Sequence, residues 1–178
     1  REETNYYLNL FEQTIREETE EFKPDIIHCQ HLWVAPYAAS KTGVPYIITA
    51  HGTDIKGFKK DKRYRNIALK GALNAERVIT ISRQVHEDVK KYYELPEKKL
   101  KLILNGFDEN IFKTMDISRE EVLQEVLNTD RPIKAKHVVS FVGKLTEFKG
   151  VDLLLKAAAI YEKELPGTIT LITGHGHL

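Results

Sequence analysis

The chain has 178 residues, 42% of them apolar, enough to bury a core and to form one domain or one domain plus part of another. Lys plus Arg number 27 against 26 Asp plus Glu, a net charge of +1, so no overall field draws the chain onto nucleic acid and any anion site must be local. The single cysteine, Cys29, excludes an intrachain disulfide framework and fits a reducing cytoplasm, and no apolar run approaches the ~20 residues of a membrane span. The chain opens on Arg1-Glu2-Glu3, with neither an initiator Met nor a signal sequence, and ends at Leu178 just after a strand-like run. Both ends predict an excerpt from a larger protein.

Tyr7, Leu8, Phe11, Ile15 and Phe22 recur at near-helical spacing, predicting an amphipathic helix over 3–22 that Pro24 stops. Residues 25–29 (DIIHC) are too short for a helix and suit a strand buried on both faces. A helix over 34–41 ends at Gly43, and 45–50 (PYIITA) reads as a second buried strand. A polar loop over 51–62 precedes a helix over 64–74 and a third strand at 77–81 (RVITI). Ser82 caps a helix reaching Tyr93, and a fourth strand over 100–104 runs into Asn105-Gly106. Ser118 caps a further helix, and the polar stretch 128–136, with Pro132, marks a boundary just beyond Lys136. A strand at 137–142, a helix over 149–163 and a strand at 168–173 then form one βαβ unit. The alternation specifies an α/β fold with a Rossmann-like parallel sheet: domain one over 1–136, and the start of a second domain over 137–178.

Ligands of open parallel sheets bind at the carboxyl ends of the strands. Those positions hold His28, Cys29 and His31; His51, Gly52, Thr53 and Asp54; Ser82 and Arg83; and Asn105, Gly106 and Asp108. In the second domain they hold Gly143, Lys144 and Lys149, then Gly174, His175 and Gly176. Glycine lets main-chain N–H groups approach a ligand, and lysine places a charge on phosphate. That set suits a phosphorylated, polyhydroxylated ligand.

Four segments carry a resemblance: 24–31 (PDIIHCQH), 48–55 (ITAHGTDI), 75–112 (AERVITIS…LNGFDENIF) and 141–157 (FVGKLTEFKGVDLLLKA) followed by ITGHGHL. Together they resemble the retaining glycosyltransferases of family four, which have the two-Rossmann GT-B fold. The resemblance spans about Phe22 to Leu178. It implies transfer of a sugar from a nucleotide-diphosphate sugar to a small-molecule, glycan or lipid-linked acceptor, with no metal or other cofactor. By the same resemblance, His51 orients the transferred sugar or the acceptor, and Gly143, Lys144 and Lys149 bind the donor diphosphate. Gly174 and Gly176 face the nucleotide, while Gly52, Thr53, Asp54, Asn105 and Gly106 line the cleft.

The chain departs from that pattern in three ways. Lys144 stands where the family has Arg, keeping the charge but not the bidentate fork. Leu104 replaces a Pro before the Asn-Gly pair. The family's acidic donor-sugar motif lies beyond Leu178 and its first Gly-rich loop before Arg1, which predicts no turnover by residues 1–178 alone. A non-catalytic sugar-nucleotide or carbohydrate-binding module, or a GT-B-like sugar-nucleotide epimerase, would use much of the same set. The alternatives are that His51 caps the next turn through its backbone and that Lys144 and Lys149 are a solvated pair.

His28 with His31, and His175 with His177, lack a carboxylate or thiolate at ligand spacing and read as hydrogen-bonded strand-end residues, not a metal site. Cys29 reads as inert core, and Trp33 as cleft lining or packing. Lys59, Lys60, Lys62, Arg63 and Arg65 form the one local basic patch: a solvated helix start, or a contact for an anionic acceptor or the inner face of a membrane.

Overall fold

The computed structural model describes residues 2–60 and 62–176. Arg1, Asp61, His177 and Leu178 lie outside the described residues, and with them the second half of the His175/His177 pair. The chain forms two compact units, 1–108 and 109–178.

The first unit opens with α1 (Glu2–Phe22), which ends where Lys23 turns to φ 50, a left-handed stop one residue before Pro24. Strands β1 (Ile27–Gln30), β2 (Tyr46–Ala50), β3 (Arg77–Thr80) and β4 (Leu100–Leu102) form a parallel sheet in that order. Parallel neighbours require crossovers, and these are α2 (Ala35–Ala39), then α3 (Thr53–Lys60) with α4 (Arg65–Asn74), then α5 (Arg83–Tyr93).

In register, Cys29, Ile48, Val78 and Leu100 make one row of the buried face, beside Tyr46, Ala50 and Thr80. The opposite face is not fully buried, contrary to the expectation of strands covered on both sides. There Ile47 and Ile79 line an open groove with Lys101 and Ile103. The helices that follow β1, β2 and β3 bury the Cys29–Ile48–Val78 face, and an apolar run alone does not say which of two faces is covered.

Segment 51–62, expected as a loop, contains the eight-residue helix α3. Ile55 and Phe58, three apart, both enter the core. Asp54 in the first turn, with Lys59 and Lys60 in the last, complements the helix dipole.

The second unit holds α6 (Arg119–Val126), β5 (His137–Val142), α7 (Val151–Glu164) and β6 (Thr168–Thr173), with β5 and β6 paired in parallel. Ser118 and Glu121 form a reciprocal capping box at the start of α6. The compact units divide at Asp108 and Glu109, earlier than the linker read at 128–136. Within the second unit the Arg119 guanidinium donates to the carbonyls of Ala135 (3.2 Å) and Lys136 (2.9 Å) and ties α6 to the entry of β5.

Candidate functional site

His28 and Gln30, two apart on β1, stand on one face of the sheet, and Gln30 is in register with Thr49. His28 Nε2 lies 2.8 Å from Thr49 Oγ1 and 3.3 Å from Gln30 Nε2. The other end of the same amide, Gln30 Oε1, lies 2.8 Å from His51 Nε2. A carbonyl oxygen only accepts, so His51 Nε2 donates. The His31 ring packs on that of His51, with centroids 4.8 Å apart. His31 occupies left-handed space at φ 71, uncommon for a residue with a Cβ, while its N–H donates to Thr49 O at 2.9 Å.

Asp54 clasps the loops after β1 and β2. Its buried carboxylate accepts from the main-chain N–H groups of Leu32 (2.7 Å), His51 (3.3 Å) and Ile55 (3.1 Å). Leu32 is held from its other side by the Tyr93 phenol, which donates to Leu32 O at 2.7 Å. Burial, then the neighbouring Asp54 charge, pushes the Tyr93 hydroxyl well above its ordinary pKa. Gly52 has φ +87, a left-handed conformation that favours glycine, and a Cβ there would meet Val85 Cγ2 at a tight 3.2 Å. Exposed Thr53 follows at the start of α3.

A cleft of about 350 Å³ opens beside this loop pair, lined by Tyr7, Phe11, Gln30, His31, Trp33 and Thr53 among others. Trp33 lines this cleft, and its ring also sits 5.6 Å from that of Tyr64. Asn105 and Gly106 are exposed on the extended segment after β4, and a Cβ on Gly106 would meet nothing within 4 Å.

In the second unit the loops after β5 and β6 are zipped together. Gly143 N–H donates to Thr173 O (3.0 Å) and Leu145 N–H to His175 O (2.9 Å). A Cβ on Gly174 would fall 1.7 Å from Gly143 O, and one on Gly176 would fall 2.0 Å from Leu145 O. Both glycines are thus required by the approach of loop to loop, before any ligand is considered. Lys144 and Lys149 are exposed on this zipped end. Lys149 closes a single 3₁₀ turn, Glu147–Lys149, and Gly150 at φ 70 separates it from α7, so the helix expected from Lys149 begins at Val151.

The basic patch is partly turned inward. The Arg65 guanidinium donates twice to Phe58 O (2.9 and 3.1 Å) and once to Lys59 O (3.1 Å), capping α3, and lies over the Phe58 ring. The Lys59 ammonium sits 4.2 Å from the Tyr92 ring centre, and Arg63 lies over Tyr64. Among the described residues no helix is long and apolar enough to cross a membrane, and no three His, Cys, Asp or Glu side chains converge as metal ligands.

Sequence reasoning passed over Gln30 and Thr49. The signal for Gln30 was the i, i+2 spacing from His28, which puts both on one strand face. Thr49 needed the β1–β2 register, which no local pattern carries.

An uncharacterized glycosyltransferase of Methanocaldococcus jannaschii is 30% identical over 147 residues, covering 76% of this chain and 36% of that protein. Among solved structures, Anabaena HepE in complex with UDP superposes with a TM-score of 0.73 at 20% identity, over 94% of this chain and 44% of HepE. Sucrose-phosphate synthase of Thermosynechococcus elongatus gives 0.68 at 18% identity, over 98% and 43%. At such identities the superpositions establish the fold alone: α/β with a parallel sheet, as in the GT-B glycosyltransferases. The chain spans less than half the length of each of these proteins. The profile of Glycosyltransferase Family 4 matches residues 2–111, well over half of the chain, and with the archaeal relative this establishes that the chain belongs to that family.

Proposed function

We propose that the chain is part of a retaining glycosyltransferase that takes a sugar from a nucleotide-diphosphate donor, with Lys144 and Lys149 binding the diphosphate. The observation that carries this reading is the zipped end of β5 and β6. Two exposed lysines stand there at the carboxyl ends of parallel strands, where such sheets bind ligands. The leaving diphosphate gains negative charge as the glycosidic bond breaks, and the two ammonium groups stabilise that charge without a metal ion. His51, its ring and main chain both held, orients a hydroxyl of the sugar. The crystallised complex of HepE with UDP supports a nucleoside diphosphate as the ligand class.

The test is Lys149→Ala in the intact protein, titrated with UDP, GDP and ADP. Whichever diphosphate binds the wild type should bind the variant roughly 10- to 100-fold more weakly, the scale of a lost charge-assisted hydrogen bond. Unchanged affinity removes Lys149 from the donor site.

A further inference from the structure

We infer that Gln30 is a positioning residue: it sets the tautomer and ring orientation of His51, leaving Nδ1 as the acceptor for a sugar hydroxyl. This rests on the role proposed for His51, and the geometry behind it stands apart from that role. The Gln30 amide is shared between two imidazoles, with Nε2 3.3 Å from His28 Nε2 and Oε1 2.8 Å from His51 Nε2.

The amide turns its NH₂ to His28 Nε2 and its carbonyl to His51 Nε2. With the NH₂ donating, His28 Nε2 is an acceptor, and the Thr49 hydroxyl 2.8 Å away is then a donor to the same nitrogen. The Gln30 carbonyl oxygen holds the proton of His51 on Nε2. A neutral imidazole carries one N–H, so its Nδ1 keeps a free lone pair and accepts from a hydroxyl.

The surroundings hold the residue as well. The His51 main-chain N–H donates to the Asp54 carboxylate at 3.3 Å, and the His31 ring flanks the imidazole with centroids 4.8 Å apart. Gln30 is therefore the link between buried Thr49 with its exposed partner His28 in the sheet and a half-buried imidazole in the loop.

Histidine ¹⁵N NMR on the intact protein tests this, with His51 identified by the loss of its signals in His51→Gln. The wild type should show the protonated-type shift at Nε2 and the unprotonated type at Nδ1. In Gln30→Leu the two shifts should move toward each other as both tautomers populate. Turnover should fall about tenfold with KM little changed, the scale of a misplaced catalytic-site group. Gln30→Glu keeps an acceptor oxygen and should restore the Nε2–H tautomer. A wild-type proton on Nδ1, or His51 shifts unaltered by Gln30→Leu, overturns the inference. If the shifts move as expected but His51→Gln transfers sugar at the wild-type rate, Gln30 still places the proton and the sugar-orienting role of His51 is what fails.

Discussion

At the scale of single residues, the loops of the first unit are organised by one carboxylate. Asp54, expected in the cleft, is among the residues that line it, and its buried oxygens also carry main-chain N–H groups of two loops. Buried N–H groups that lose their acceptor cost about 1–3 kcal/mol. Asp54→Ala should therefore lower stability by about 2–3 kcal/mol, read as a lower urea midpoint, and should loosen the His51 loop. A midpoint equal to wild type would show that the loops are held by something else. The HGTD run announces a functional turn, yet only the structure divides its roles. Gly52 makes the turn, Asp54 holds it from inside, and the His51 ring is held by Gln30.

Elements were read from periodicity and end signals wherever those signals were strong. Ser82 accepts from Val85 N at 3.2 Å as an N-cap, and Ser118 with Glu121 forms its box, both at the positions their sequences announce. Helix α3 was missed because Gly57 sits in its interior and polar residues fill most of its length, so propensity argued for a loop. Packing of Ile55 and Phe58 against the core overrides that propensity. Where the β5 and β6 loops meet, the glycines have a steric purpose that a motif reading assigns to a ligand. Gly174→Ala should break the Gly143–Thr173 and Leu145–His175 contacts, because a methyl cannot occupy a point 1.7 Å from a carbonyl oxygen. The expected cost is about 2 kcal/mol or more, with faster amide exchange at Gly143 and Leu145. Wild-type stability and exchange in that variant would count against the zipper.

For the first unit as a whole, three acidic protons are buried in one core. Burial pushes the Cys29 thiol from 9.0 up to about 11, and burial first of all raises the Tyr46 and Tyr93 hydroxyls. In the unfolded chain these groups release their protons at ordinary values, whereas the folded chain retains them. Stability is therefore fully present below about pH 9 and falls as pH rises toward the raised values. Denaturation midpoints should be lower at about pH 10.5 than at about pH 8, and less so in Cys29→Ala. A midpoint that stays constant across that interval would show that these protons are not coupled to folding.

The alternation of short β-branched runs with amphipathic helices was enough for the α/β class, because hydrophobic period and cap chemistry are local properties. The same holds for the strand-end positions of His51, Lys144 and Lys149, which need only an element order. What depended on tertiary structure was pairing. The β1–β2 register brings Thr49 and His28 together, and a helix hidden in polar sequence turns Asp54 inward. One arginine, Arg119, reaches across sixteen residues or more to Ala135 and Lys136. Such contacts join residues far apart in the chain, and no periodicity within a segment encodes its distant partner.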